Sequence, residues 1–334
     1  MQTQALLHAL QNTSQPALAA LYGSRADELD RQRNRFAHLL QRFESVFPGS
    51  QNVQIYSSPG RTEVGGNHTD HNAGRVLAAA VNLDILAVVS PRSDGKIVID
   101  SEGYRQVIVE TSQLNPVESE KNTTTALVRG VCARMVQLGY AAGGFQACMT
   151  SRVPNGSGLS SSAAFELMVV TILSQLYNQG RVPPIQAAQI GQYAENNYFG
   201  KPCGLMDQTT CAVGGFVTID FKDFANPLVH KVDYDFSQSG YSLAIIGTGG
   251  SHADLTPDYA AIEGEMKAVA QFFGGRVLRE FSAGQVLESI PALRAKLSDR
   301  AILRALHFYA DDARVVRQVA ALERGDFSAF LELV

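Results

Sequence analysis

The most informative segment of the chain is Pro154-Asn155-Gly156-Ser157-Gly158-Leu159-Ser160-Ser161-Ser162-Ala163-Ala164. It follows a strand-like run, Phe145 to Thr150, and opens a strongly apolar helical run, Ser160 to Tyr177. Two glycines let a backbone approach an anion closely. The serines stand at a helix N-terminus, where unpaired N–H groups and the helix dipole favour phosphate. A plain Gly-Ser turn with a serine N-cap is the alternative, and a bare G-x-G-x-x-S arises by chance in about one such chain in ten. The proline, both glycines, Leu159 and three successive serines together make chance a poor account. No G-x-x-x-x-G-K-[ST] occurs, and the third glycine of a dinucleotide fingerprint is missing. A phosphate loop here therefore belongs to neither of those folds.

Working outward, residues 1–50 read as helical, with Leu21, Leu29, Phe36, Leu39, Leu40, Phe43 and Phe47 near a 3.6-residue period and Pro48-Gly49 as the stop. Short β-type runs follow at Val53 to Ser57, Leu83 to Val89, Lys96 to Asp100 and Gln106 to Glu110. Thr124 to Leu138 and Gln186 to Tyr198 read as helices, Gly215 to Phe221 and Tyr241 to Gly247 as strands, and the chain beyond Leu255 as mostly helical. Strands and helices without strict alternation indicate an α+β fold. A boundary at Gly214-Gly215 gives two domains, 1–214 and 215–334.

The 334 residues carry 28 basic and 32 acidic side chains, a net charge of −4, and are 45% hydrophobic and 18% charged. That supports a folded core and argues against a nucleic-acid protein. Cys132, Cys148, Cys203 and Cys211 form no C-x-x-C pair and read as buried thiols in a reducing compartment. The start, Met1 to Leu10, has no basic region followed by an apolar one. The most apolar stretch, Val76 to Val89, is interrupted by Asn82 and Asp84. The expectation is a cytoplasmic protein without membrane contact.

Two further segments carry chemistry. Ser58-Pro59-Gly60-Arg61-Thr62-Glu63-Val64-Gly65-Gly66-Asn67-His68-Thr69-Asp70-His71-Asn72-Ala73-Gly74 is dense in glycine and in hydrogen-bonding side chains. His68, Asp70 and His71 could begin a metal site, but a cluster reading the hydroxyls of a small polyol suits them better. A Gly-rich turn with surface polar residues is the bland reading. In Cys203-Gly204-Leu205-Met206-Asp207-Gln208 an aspartate stands among apolar neighbours. Near an arginine it is a candidate general base, and otherwise a helix cap. Glu195 lies in the helical run Gln186 to Tyr198, where it could equally be a solvated surface residue.

Together these segments resemble the galactokinases of the GHMP kinase superfamily, from about Ser58 to the C-terminus. The Gly-Ser loop resembles the superfamily's, and Pro59-Gly60-Arg61 with His68-Thr69-Asp70 resembles the galactokinase branch, as does Gly247 to Tyr259. The resemblance implies a two-domain GHMP fold with mixed sheets and packed helices. It implies ATP and Mg²⁺ as cofactors, and galactose, phosphorylated at the anomeric hydroxyl, as substrate. Residue by residue, Gly156, Ser157, Gly158, Leu159, Ser160, Ser161 and Ser162 would hold ATP, and Ser162 and Glu195 the Mg²⁺. Asn67, His68, Thr69, Asp70, Gly204 and Tyr259 would line the sugar. Asp207 would take the hydroxyl proton, and Arg61 would stand against it and steady transition-state charge. Small molecules are then the partners, and a monomer is favoured.

Two departures from the family stand out. Asn67 replaces the usual glutamate that faces the sugar's 6-position, which leaves galacturonate as a second candidate beside galactose; arabinose and N-acetylgalactosamine are further ones. A Gly-rich third motif is missing after Gly275, and Leu331-Glu332-Leu333-Val334 reads as mid-helix, so the C-terminal domain is expected to be incomplete. A non-catalytic sugar and ATP sensor on the same fold is the competing class. Arg61, Ser162, Glu195 and Asp207, all present, favour the enzyme.

Overall fold

The computed structural model describes residues 2–12, 16–154, 156–246 and 256–334, with backbone only at 256–260. The chain divides into two compact units. The first comprises Met1–Gly60, Val81–Asn155 and Leu159–Ala212; the second comprises Arg61–Ala80, Gly156–Gly158 and Val213–Val334.

In the first unit, helices α1 (Thr3–Asn12), α2 (Pro16–Tyr22) and α3 (Ala26–Val46) precede the strands. Along α3, Phe36, Leu39, Leu40 and Phe43 fall on one helical face and are buried, while Asp27 and Glu28 occupy the first turn, where the helix dipole favours negative charge. Strand β1 (Gln54–Gly65) pairs with β2 (Arg75–Arg92), and both belong to the two units in turn. From β2 the order runs to β5 (Gly144–Ser151), β3 (Lys96–Ser101) and β4 (Val107–Glu110). The sheet is mixed, since β3 is parallel to β5 with Ile97 opposite Phe145, whereas β2 and β5 are antiparallel with Ile85 opposite Ser151.

Alternation along the strands explains the layers. Ile85, Ala87 and Val89 face one core with Ala147 and Met149, joined by α4 (Thr124–Gln137), α5 (Ser161–Asn178) and α6 (Pro184–Ala194). Leu86, Val88 and Cys148 face the other, packed by α1, α2 and α3. A sheet covered on both faces needs apolar residues at successive positions, as 85–89 supply. Helix α7 (Met206–Val213) closes the unit. None of the four cysteines forms a disulfide, and burial pushes the Cys132 and Cys148 thiols up to about 12.

In the second unit, the first residues of β2 pair with β6 (Phe216–Asp220), Arg75 opposite Asp220, and β6 pairs with β7 (Leu228–Val232). Helices α8 (Thr256–Phe272), α9 (Ala283–Glu288), α10 (Ile290–Arg294), α11 (Asp299–Glu323) and α12 (Phe327–Leu331) follow. Ser298 caps α11 by accepting the Ala301 N–H at 3.2 Å. One core gathers Met266, Leu278, Ala305 and Phe308; another gathers Leu77, Phe216, Val315, Leu322 and Phe330.

Three local expectations change. Residues 241–246 form no strand and are exposed, Ile246 at 82%; β-rich sequence becomes a strand only beside a hydrogen-bonding neighbour, and none pairs with them among the described residues. β7 was not anticipated, because Leu228, Val229, His230 and Lys231 are left at least partly open and the run is short. The final helix does not run off the chain end: Asp326 caps it, accepting the Ala329 N–H, and it stops at Leu331. Among the described residues no helix is long and apolar enough to cross a membrane.

Asp84, 2% exposed, accepts hydrogen bonds at 2.5 Å from the Tyr22 hydroxyl, the Ser57 hydroxyl and Arg35 Nη1. Burial, with the adjacent Asp84 charge, raises the Tyr22 hydroxyl above its ordinary value. Removing one partner of such a buried pair leaves a charge uncompensated. Asp84→Ala should therefore lower the unfolding free energy by about 3–5 kcal/mol, and Tyr22→Phe by about 1–3 kcal/mol. Urea unfolding at pH 7 checks both, and losses below about 1 kcal/mol for Asp84→Ala would show that the network is dispensable.

Candidate active site

The Gly-Ser loop sets the backbone before α5. Gly156, Gly158 and Ser160 all have positive φ, at 68°, 75° and 55°. A Cβ on Gly158 would meet no atom within 4 Å, so its backbone conformation, not crowding, asks for glycine there. Ser160 occupies the N-cap position of α5 but makes no side-chain capping bond. The N–H groups of the first turn are thus left without the cap that a serine usually supplies, the condition for receiving an anion.

The Ser160 hydroxyl goes elsewhere, donating to Asp207 Oδ2 in a short hydrogen bond. Asp207 is the second residue of α7, in the first turn, where the dipole favours a carboxylate. Gly204 lies half-buried in the loop just before that helix.

Deeper in the same unit, Glu195 closes α6 at the start of a π turn, Glu195–Phe199, and is 3% exposed. Such turns recur at functional sites because they re-aim one side chain. Ser162 Oγ donates to Glu195 Oε1 at 3.1 Å, and Lys201 Nζ stands 3.5 Å from the same oxygen. Gln208 Nε2 bridges two acids, donating to Glu195 Oε2 at 2.9 Å and to Glu166 Oε2 at 3.1 Å. Glu166 is fully buried; that burial, then the Glu195 charge, pushes its carboxyl well above the ordinary value, which favours its neutral form. A hydroxyl beside a carboxylate is a hard oxygen pair of the kind Mg²⁺ accepts together with phosphate oxygens, so Ser162 and Glu195 fit that ion.

In the second unit, Arg61 leaves β1 and donates Nη1–H to the Gly158 carbonyl in a short hydrogen bond. The loop from Gly66 to Gly74 holds the other expected residues. Gly66 has φ 87°, and a Cβ there would lie 2.3 Å from the Arg75 carbonyl oxygen, so only glycine fits. Asn67 is exposed, and His68 is half-buried with φ 60°, a conformation costing a non-glycine residue about 1–2 kcal/mol. Desolvation lowers the His68 pKa from its ordinary 6.5, so the ring is mostly neutral at pH 7. Thr69 is buried and its hydroxyl lies between the Gly66 and Arg75 carbonyls. The Asp70 carboxylate accepts the His71 N–H at 2.9 Å. Among the described residues no three His, Cys, Asp or Glu side chains gather as a metal cluster. The side chain of Tyr259, and the stretch 247–255, lie outside the described residues.

Ser162, Glu195 and Asp207 are legible in the sequence as candidates, whereas Glu166 and Gln208 emerge from the structure. The lone acid in the run Ala163-Ala164-Phe165-Glu166-Leu167-Met168 was the available signal, because a carboxyl on an all-apolar helix must be protonated or paired.

Comparison with known proteins places this geometry. Residues 126–215 match the GHMP kinase N-terminal domain, and residues 41–91 match the galactokinase galactose-binding signature. The Lactococcus lactis galactokinase, solved with galactose, superposes with a TM-score of 0.72 at 24% identity, over 90% of this chain and 77% of that one. The Streptococcus pneumoniae phosphomevalonate kinase, solved with phosphomevalonate and AMPPNP, gives 0.51 at 13% identity, over 84% and 77%. A D-glycero-D-manno-heptose 1-phosphate kinase from Bacteroides thetaiotaomicron gives 0.53 at 15%, over 84% and 76%. The chain has the GHMP kinase fold.

In this GHMP kinase fold the Gly-Ser loop lies within the matched N-terminal domain, and Arg61 to Gly74 within the galactose-binding signature. The buried acid makes stability depend on pH. The folded pKa of Glu166 is raised above the unfolded value near 4.5, so between those two values the folded state keeps a proton that the unfolded state has released, and stability falls as pH rises. Glu166→Gln keeps the shape without the ionisation. Urea unfolding in EDTA at pH 5 and pH 8 should therefore show the variant gaining on the native protein at the higher pH. An unchanged difference would mean that Glu166 ionises normally.

Proposed function

We propose that this chain is an ATP- and Mg²⁺-dependent sugar-1-kinase acting on galactose. The observation that carries the reading is the hydrogen bond that Ser160 donates to Asp207: a carboxylate at a helix N-terminus stands within proton-transfer reach of the N-cap serine of the phosphate-loop helix. The galactose-binding signature over residues 41–91 supports the sugar, and the GHMP N-terminal domain supports the nucleotide.

In this reading Asn67, His68, Thr69, Asp70, Gly204 and Tyr259 hold the sugar by its hydroxyls. The loop Gly156–Ser162 holds the phosphates with backbone N–H groups and serine hydroxyls. Ser162 and Glu195 would hold Mg²⁺, which when bound offsets the phosphate charge. Asp207 accepts the proton of the anomeric hydroxyl. The freed oxygen bonds to the γ-phosphorus as the bond to the bridging oxygen of ADP breaks, and ADP leaves while sugar 1-phosphate remains. Arg61 offsets charge on the transferring group. Positioning and charge stabilisation supply most of the rate in such a transfer.

Asn67 bears on which sugar is taken. An amide has two donors and no charge where a carboxylate would repel a sugar acid. Coupled ADP release with Mg·ATP and galactose, galacturonate, arabinose, N-acetylgalactosamine or no sugar tests the reading. Turnover with galactose is expected, and Asn67→Glu should shift any galacturonate activity toward galactose. A positioned base typically contributes about 10²–10⁴-fold, so Asp207→Asn should lower kcat at least about 10²-fold with ATP binding retained by calorimetry. Sugar and ATP binding without turnover would make the chain a sensor instead, and near-normal turnover in Asp207→Asn would remove that residue from its role.

A further inference from the structure

Helix α11 meets the loop Gly66–Gly74 at its backbone. Asn67 donates its N–H to Asp311 Oδ2 at 2.6 Å, and the Asn67 carbonyl accepts from His307 Nε2 at 2.9 Å. His307 and Asp311 are four residues apart, so they occupy one face of the helix on successive turns. The residue is gripped at both its N–H and its C=O, and its side chain takes no part. Asp311 is 3% exposed, and its other oxygen accepts from Arg314.

The next residue of α11 fixes the loop's far end. Asp312 accepts the Arg75 N–H at 2.7 Å and Arg75 Nη1 at 2.8 Å. Asp312 and Asp220 then alternate with Arg75 and Arg279 in a closed ring of four ion pairs, each at 2.8–2.9 Å. Between these two anchors lie His68 and Ala73, both non-glycine residues in the left-handed region at φ 60° and 62°. Conformations of that kind persist only where surrounding bonds over-determine them. His307 and Asp311 hold the residue immediately before His68.

We propose that His307 and Asp311 are positioning residues for the sugar, a two-point clamp that keeps the His68 backbone left-handed and so orients Asn67, His68, Thr69 and Asp70. This rests on the reading of that loop as the sugar-binding element. The clamp acts on sugar affinity and leaves the phosphate loop alone, since its bonds are made to the Asn67 main chain. His307 must donate, because a carbonyl only accepts; a glutamine amide at 307 can do the same.

The test uses the full chain, with galactose as the probe and calorimetric Kd for galactose and for ATP beside kcat and KM. Losing one net-favourable hydrogen bond corresponds to about two- to tenfold in affinity. His307→Ala and Asp311→Ala should each weaken galactose binding about threefold or more, with ATP Kd within about twofold and kcat at saturating sugar within about threefold. His307→Gln should recover most of the loss. Hydrogen exchange at residues 66–74 should rise in His307→Ala and return in His307→Gln. Galactose Kd unchanged in both deletions would overturn the clamp, as would parallel losses of galactose Kd, ATP Kd and kcat, or failure of His307→Gln to rescue. Failure of the native chain to bind galactose at all would instead overturn the reading of the loop, with the exchange arm still deciding whether the clamp holds it.

Discussion

The hydrogen bond from Ser160 to Asp207 is the interaction that sets the start of α5 and the place of the α7 carboxylate. A serine at an N-cap position ordinarily turns its oxygen toward the N–H groups of its own helix. Ser160 has a left-handed backbone instead and donates to a carboxylate on another helix. Two consequences follow from one choice of φ. The first turn of α5 keeps its donors and its positive dipole end, and a carboxylate on α7 is fixed beside the start of that helix. The alternation of Gly156, Gly158 and Ser160 in the left-handed region brings the chain to that point, and two glycines are what make it affordable.

Behind it, the buried acids follow the ordinary rule that a charge removed from water must be paired or neutralised. Glu195 is paired by Ser162, Gln208 and Lys201; Glu166, bonded among the described residues to the Gln208 amide, is pushed toward its neutral form. Gln208 can donate one hydrogen to each carboxyl because its amide carries two. Had both acids been charged at this separation from water, their repulsion would have raised one of them, which is the direction observed for Glu166. Glu195 Oε1 meanwhile has the Ser162 hydroxyl at 3.1 Å and Lys201 Nζ at 3.5 Å.

Much of this was legible in the sequence because it is local. The Gly-Ser loop, the apolar period of α3 and α5 and the strand runs of β2 and β5 are set by neighbours within about ten residues. What escaped was set by distance. Residues 241–246 have strand composition and lack a partner; β7 has a partner and a sequence too short and mixed to announce it. The grouping of Arg61–Ala80 with residues beyond 213 cannot be read from composition, since β1 and β2 each run unbroken through both units. Glu166 was visible as an anomaly, a carboxyl in an apolar run, whereas its companion Gln208 stands 42 residues away in sequence. Asp311 is 244 residues from Asn67, and nothing in either segment refers to the other.

The second unit shows why a departure at Asn67 can be tolerated by the fold. Residue 67 is held through its N–H and its carbonyl, groups that every residue except proline provides. Its side chain is exposed and supports nothing in the loop. Exchanging carboxylate for amide at this position changes charge and donor count while the backbone bonds to Asp311 and His307 stay available. His68, one residue on, has less freedom, because its left-handed φ depends on that grip. In the proposed reading the loop thus separates two tasks: main-chain anchors on α11 fix its shape, and the side chain of Asn67 is free to set what that shape selects.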